Sequence, residues 1–141
     1  MMEEDYARRI ASALMLERDP FSRWMGISMT EIRPGYCKLL CSIKNDMLNG
    51  FGILHGGVSY SIADSALAFA SNAHNQKAFS IETSISHIKK VMEGDVLTAV
   101  CRELSLSPRF GIYEVVITNQ RLEKIALFKG TVYRTTEKWI E

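Results

Sequence analysis

The sequence predicts an α+β fold in which one antiparallel sheet curves around a single buried helix. Three observations support this prediction: residues 58–73 carry Asp64 as their only charge, four strand-like segments follow them at short spacing, and two more precede them. A helix without a charged face needs cover on nearly all sides, and a sheet needs one face covered. The sheet would therefore cover the helix, and the helix would cover one face of the sheet. A membrane span is disfavoured, because the run holds many Ser, Ala and Asn residues and an acid at its middle.

Length, charge and composition narrow the class of protein. The 141 residues are predicted to form one domain with its own core, and the formal net charge of +1 comes from mixed signs, so we expect neither nucleic acid nor a membrane as a partner. The three cysteines, Cys37, Cys41 and Cys101, lack metal-ligand spacing and are odd in number, which indicates reduced thiols of a cytoplasmic protein. The acidic and then mixed start predicts no signal peptide. No His pair has ligand spacing, so we expect no metal.

The N-terminal segment, residues 1–19, is predicted to be an amphipathic helix. Tyr6, Ile10 and Leu14 form one apolar stripe between residues 3 and 17, and a Pro that follows Asp19 ends the helix. The main domain is assigned to residues 20–136 and a tail to residues 137–141.

The main domain should begin with an apolar plug and a hairpin. Phe21, Trp24 and Met25 are expected to fill a gap in the core or to line a pocket. Residues 27–32 and 36–43 flank a Pro-Gly turn and predict a hairpin.

Four strands should follow the central helix. Residues 78–91 alternate, which predicts one face formed by Phe79, Ile81, Thr83 and Ile85. The other three strands span residues 96–106, 110–119 and 125–134, and the short turns between all four predict an antiparallel meander. The tail is polar apart from Trp139 and Ile140, so it should be either loosely held or used in packing.

The turn before the central helix is the strongest chemical signal. Gly56 and Gly57 lie where the helix begins, and the N–H groups of its first turn suit a carbonyl oxygen that becomes an oxyanion. Burial raises the pKa of a carboxyl such as Asp64 towards that of a general base, although a structural polar plug bonded to backbone or Ser hydroxyls is an equal alternative. Asp64 follows Gly57 by seven residues, roughly 10 Å along a helix, so joint action suggests that the acid comes from a second copy in an obligate dimer.

The order of elements and this turn resemble the hotdog-fold thioesterases, most closely the acyl-CoA thioesterases of the phenylacetic acid degradation family. That family's pattern is an Asn, then His-Gly-Gly six residues on, then an Asp nine residues beyond the His; here it is met by Asn49, His55-Gly56-Gly57 and Asp64. Further likeness lies at Pro34-Gly35, Met47-Leu48-Asn49-Gly50, Gly94-Asp95, Gly111-Ile112-Tyr113-Glu114 and Ala126-Leu127-Phe128-Lys129-Gly130. The resemblance covers residues 20–134.

The resemblance implies roles for the reacting groups. The Gly57 N–H would polarise the thioester carbonyl, and Asp64 of the neighbouring subunit would activate water or attack directly. Asn49 would orient the water or the carbonyl, and His55 would help by fixing the turn or the substrate. Ser80 or Thr83 are the nearest candidates to hold the water, although each can equally be an ordinary strand residue.

The resemblance also implies a set of residues around the substrate. Gly56 and Gly111 are assigned to substrate binding. Lys89, Lys90 and Arg109 could meet the phosphates of coenzyme A, or could be solvated charges at strand ends. One departure is His87, where many relatives carry an aromatic residue.

The resemblance therefore implies a cytoplasmic acyl-CoA thioesterase, a homodimer or a dimer of dimers, that yields a free acid and coenzyme A. An aryl-acyl-CoA such as phenylacetyl-CoA is one candidate substrate, and an acyl-carrier-protein thioester is another. No cofactor is expected, because coenzyme A belongs to the substrate. The alternatives are a hotdog enoyl-thioester hydratase or dehydratase and a non-catalytic acyl-CoA binding protein.

Overall fold

The computed structural model describes residues 2–141 and confirms the predicted α+β fold. Helix α1 (Glu3–Arg8) continues through a π-helical segment (Arg9–Met15) and a 3₁₀ turn (Leu16–Arg18), and a short helix α2 (Pro20–Met25) precedes a hairpin. The remaining elements are β1 (Ser28–Arg33), β2 (Tyr36–Ser42), a 3₁₀ turn (Asn45–Met47), α3 (Gly56–Asn72), β3 (Ala78–His87), β4 (Val96–Leu106), β5 (Phe110–Thr118) and β6 (Lys124–Arg134). Helix α2 is a local element that the sequence analysis did not predict.

The central helix is covered as expected. No residue from Val58 to Ala73 is exposed, and the side chains of Ile62, Leu67 and Phe69 are almost completely buried. All three cysteines are buried and free, as the sequence indicated. The predicted plug lies within α2 and is only partly as predicted: Met25 is buried, whereas Phe21 and Trp24 stack on each other at the surface, 53% and 44% exposed.

The order of strands corrects the predicted meander. The sheet of the described residues runs β1-β2-β4-β5-β6-β3, so β3 pairs with β6 and lies at an edge instead of beside β4. Strand β3 ends at His87, and the chain from Ile88 crosses the start of α3, where the Leu54 N–H donates to the Val91 carbonyl at 2.8 Å. This crossing places β4 beside β2. Strand β3 therefore pairs only with β6, and its other edge has no partner strand within the described chain.

A β-bulge in β3 corrects the predicted face. The register shifts between Ser80 and Glu82, so Ile81 is an extra residue and the alternation reverses beyond it. Thr83 therefore lies opposite Gly130 on the side of α3, whereas Phe79 pairs with Tyr133 on the outer side. Phe79 and Ile81 are 62% and 59% exposed along this edge.

The N-terminal helix buries a different stripe from the predicted one. Ala7, Ile10 and Ala11 are fully buried, whereas Tyr6 and Leu14 are only half-buried. The wider π turn shifts which side chains point inward, and the two alanines allow the helix to approach the core closely. No described helix is long and apolar enough to cross a membrane.

Candidate active site

The start of α3 is capped by the side chain of the residue that precedes it. His55 is the N-cap, and its Nδ1 accepts a hydrogen bond from the Gly57 N–H at 2.9 Å. The His55 N–H donates to the Met47 carbonyl at 2.9 Å, which fixes the approach of the chain. The predicted oxyanion donor is therefore at an exposed helix terminus, but it already has an acceptor within the chain.

Asn49 organises the loop that leads to this turn. Its Oδ1 accepts from the Phe51 N–H at 2.9 Å and from the Ile53 N–H at 3.4 Å, and its own N–H donates to the Ile53 carbonyl at 2.8 Å. Gly52 makes the tight turn possible with φ of 76°. The hydrogen bonds of the Asn49 side chain use the oxygen, so its amide nitrogen is the group that can serve a ligand.

His87 packs directly against the glycine turn. Its Nε2 lies 3.2 Å from the Gly56 carbonyl and 3.1 Å from Ser59 Oγ. A Cβ on Gly56 would come within 3.1 Å of the imidazole. His87 was expected only as a departure from the family pattern and Ser59 was not predicted, because nothing local relates a strand end to the first turn of a helix.

These groups line one cavity of about 330 Å³, the helix-start cavity. Its lining includes Asn49, Gly56, Ser59, His87, Lys89 and Lys90. Lys89 also pairs with Glu123, whose carboxylate accepts from Arg121 as well. The cavity thus combines the predicted turn with cationic groups at its edge.

Asp64 lies in a second, larger cavity of about 600 Å³, the Asp64 cavity. The carboxyl is half-buried, and desolvation raises its pKa above the ordinary value. No hydrogen bond or nearby charge within residues 2–141 offsets that desolvation. The neighbouring hydroxyl of Ser65 bonds to Ser22 instead, at 2.8 Å. This environment disfavours the structural-plug alternative, which needs polar partners for the carboxylate.

Ser80 is the one predicted water-holding residue that shares the Asp64 cavity. Thr83 lies on the helix side of β3 but is hydrogen-bonded to the Tyr60 hydroxyl. The chain therefore brings Ser80 and Asp64 together and keeps Thr83 apart from both.

Two predicted substrate-binding residues lie away from both cavities. Arg109 donates from Nη1 to the carbonyls of Pro108 and Arg134, at 3.1 and 3.0 Å, and so holds the β4–β5 turn. Gly111 is buried, and a Cβ there would lie 2.8 Å from Tyr113. Close packing against Tyr113 explains why Gly111 is a glycine. A substrate contact for Arg109 or Gly111 stays a prediction.

The predicted catalytic residues do not share one cavity, and His55 and Gly57 line neither of the two. Asn49 and Gly56 line the helix-start cavity, whereas Asp64 lies two turns further along α3 in the other. A single chain therefore cannot present the helix N-terminus and the carboxylate to the same atom.

Comparisons with known proteins agree with this architecture. The family model described as "Thioesterase superfamily" matches residues 51–126. A protein of Archaeoglobus fulgidus, provisionally named an esterase, is 37% identical over 87% of this chain and 80% of its own length. The acyl-coenzyme A thioesterase PaaI of Escherichia coli is 31% identical over 85% of this chain and 86% of its own length.

The solved structure of the E. coli PaaI protein, from the phenylacetic acid degradation operon, superimposes with a TM-score of 0.94 at 29% identity. The match covers 97% of this chain and 99% of that structure. The strand order, the crossing connection and the long central helix are therefore shared along almost the whole length.

Proposed function

The chain belongs to the thioesterase superfamily, and we propose that it hydrolyses the thioester bond of an acyl-coenzyme A to a free acid and coenzyme A. One observation carries the proposal: a half-buried carboxylate, Asp64, lies in a large cavity with its pKa raised by desolvation and with no partner in the described chain. The name of the E. coli relative supplies the substrate class, an acyl-CoA. An aryl-acyl-CoA such as phenylacetyl-CoA is the finer candidate.

The chemistry needs an activated water and a stabilised oxyanion. Asp64 either removes a proton from water, which then attacks the carbonyl carbon, or attacks that carbon itself to form a mixed anhydride that a water molecule then hydrolyses to the free acid. The C–S bond breaks, and coenzyme A leaves as a thiol after gaining a proton. The Gly57 N–H and the helix dipole stabilise the oxyanion. Since this N–H donates to His55 Nδ1, the carbonyl oxygen must replace or share that acceptor. Asn49 then orients the water or the carbonyl.

We propose that each site is shared by two chains. Gly57 and Asp64 are roughly 10 Å apart along α3, and Gly56 beside Gly57 lines a different cavity from Asp64, so one carbonyl cannot contact both groups within a chain. Strand β3 ends the sheet with an exposed apolar edge that contains Phe79 and Ile81, and such an edge is a template for pairing with another chain. Pairing at β3 in a homodimer would bring the Asp64 of one copy towards the Gly57 of the other.

The coenzyme A part is assigned to the helix-start cavity. Lys90 is exposed there and Lys89 is shared with Glu123, so both can offer cationic donors to phosphates at the mouth of the site. Arg109 would have to reach the phosphates from a neighbouring copy, because its own chain places it at the β4–β5 turn.

Release of free coenzyme A thiol, measured across a panel of aryl and straight-chain acyl-CoAs, tests the function. Asp64→Asn should lower kcat by about 10²-fold or more if the carboxylate is the base. Asp46→Asn, which changes an exposed acid, is the control and should retain activity. Hydration of an enoyl-CoA, or binding without turnover, would instead assign one of the two alternative functions.

Mixing two inactive variants tests the shared site. Asp64→Asn and Asn49→Ala damage opposite halves of a site, so each mixed dimer keeps one intact site. After unfolding and refolding the two together, we expect recovery of about a quarter of wild-type activity, the statistical value for a two-fold symmetric dimer. No recovery from a mixture that does form dimers would place all groups of a site in one chain.

A further inference from the structure

The chain beyond the last strand lines part of the Asp64 cavity. Trp139 and Glu137 line this cavity together with Met15 of the N-terminal π segment. Both segments were predicted to lie outside the main domain, at residues 1–19 and 137–141. In the structure they are walls of the cavity that contains the candidate catalytic carboxylate.

The C-terminal segment, residues 135–141, is held firmly by the turn between α3 and β3. Asn75, at φ of 65°, accepts at Oδ1 from the N–H groups of Trp139 and Ile140, at 3.1 and 2.9 Å, and donates from Nδ2 to the Ile140 carbonyl at 2.8 Å. The Lys77 N–H donates to the Glu137 carbonyl at 2.8 Å. Of the two alternatives left open for the tail, packing is therefore the one observed.

The indole of Trp139 has a fixed position. Its Nε1–H donates to Asn72 Oδ1 at 2.9 Å, and the Asn72 amide donates to the carbonyls of Ala68 and Ala78, at 2.8 and 3.1 Å. Asn72 is buried, so these bonds are shielded from water. Lys77 Nζ lies 5.2 Å from the centre of the Trp139 ring. An aromatic ring held in this way is a rigid wall.

One face of α3 connects this wall to the carboxylate. Asp64, Leu67, Ala68, Ser71 and Asn72 all line the cavity and are spaced along one helical stripe. From Asp64 to Asn72 the stripe is roughly 12 Å long at 1.5 Å per residue. The cavity is therefore a trough with the carboxylate near one end and the indole at the other.

We propose that Trp139 is a specificity-determining residue that limits the length of the acyl group and favours a flat aromatic one. This inference rests on the proposed function, because it takes the group beside Asp64 to be the acyl part of the thioester. Leu67, Val132 and Met15 supply apolar walls along the trough. A ring ending at Trp139 gains aromatic contact, whereas a long straight chain meets the indole and cannot extend.

Substrate preference in matched tryptophan variants tests the inference. The chain has two tryptophans, and Trp24 lies at the surface, so Trp24→Ala is the control for Trp139→Ala. In Trp139→Ala, the ratio of kcat/KM for dodecanoyl-CoA to that for phenylacetyl-CoA should rise by about tenfold or more. Trp139→Phe, which keeps a ring but is smaller and loses the bond to Asn72, should raise the ratio by less than Trp139→Ala does. An unchanged ratio in a folded Trp139→Ala, including an equal fall in kcat/KM on both substrates, would overturn the inference. Turnover by the wild type would still support the proposed function.

A binding measurement keeps the inference testable if Trp139→Ala does not fold or if the wild type hydrolyses neither substrate. In Trp24→Phe, Trp139 is the only tryptophan and reports directly on the end of the cavity. A ketone analogue of phenylacetyl-CoA, which cannot be hydrolysed, should change the Trp139 emission saturably. Coenzyme A alone should not. An emission that responds to neither or equally to both would mean that the acyl group does not reach Trp139.

Discussion

His55 Nδ1 accepts a hydrogen bond from the Gly57 N–H at 2.9 Å, so the ring that precedes α3 caps the helix on which the proposed chemistry depends. The same contact explains the second glycine of the turn, because a Cβ on Gly57 would lie 3.0 Å from His55 Nδ1. The turn is thus organised by its own imidazole before any substrate binds.

Replacing His55 should show how much its N-cap hydrogen bond contributes to the stability of the fold. His55→Ala removes the N-cap acceptor and should lower the free energy of unfolding by about 1 kcal/mol, whereas His55→Asn keeps an acceptor and should lose less. Urea unfolding measures the difference, with Phe51→Ala, which truncates a side chain that is 89% exposed, as the control. Equal stability of His55→Ala and wild type would show that the cap contributes nothing.

Gly56 and His87 should be energetically coupled. A Cβ at Gly56 would meet His87 Cε1 at 3.1 Å, so Gly56→Ala should be destabilising by about 1 kcal/mol or more through overpacking. In a His87→Ala background the same change should cost clearly less, because the ring that it meets is gone. A double-mutant cycle of unfolding free energies measures the coupling. Strict additivity would mean that the turn moves away from His87 without cost.

Local patterns predicted most elements but not their partners. The lack of charge in α3 and the spacing of Asn49, His55 and Asp64 were visible in the sequence, because both belong to one continuous stretch of the chain. The position of β3 beside β6 and the bulge at Ile81 depend on pairing between distant strands, so alternation alone gave the wrong face for Phe79.

The candidate site was predicted as a set of residues and not as an arrangement. The seven-residue spacing indicated that Asp64 lies apart from the helix start, but nothing local indicates which cavity each group lines or that His87 packs on Gly56. The role of Trp139 depends on Asn72, 67 residues earlier in the chain. Trp139 and Ile140 in an otherwise polar tail were the signal that the tail is packed.

Gly130 should be intolerant of any side chain. Its Cβ would lie 2.6 Å from Leu67 Cδ2 and 3.2 Å from Phe128, and both neighbours are buried. Gly130→Ala should therefore lower the unfolding free energy by about 1–3 kcal/mol. Gly50→Ala is the matched control, because a Cβ there meets nothing within 4 Å and its φ is not positive. Similar unfolding midpoints for the two variants would refute the close contact between β6 and α3.

Asp64→Asn should make the protein more stable at neutral pH while it removes activity. Burial raises the pKa of Asp64 in the folded chain, so the folded state binds its proton more tightly than the unfolded state does. Stability is then highest below the unfolded pKa of about 3.9 and falls as the pH rises through the raised folded value. The amide does not titrate, so Asp64→Asn escapes this loss.

Thermal unfolding of wild type and Asp64→Asn from pH 3 to pH 8 measures the effect. The melting temperature of the variant should exceed that of the wild type at pH 7, and the gap should close as the pH falls below about 4. Asp46→Asn, at an exposed position, should show no such gap. A variant that is less stable than wild type at pH 7 would mean that the Asp64 carboxylate is stabilised by partners, as a structural role requires, and would weaken its assignment as the catalytic base.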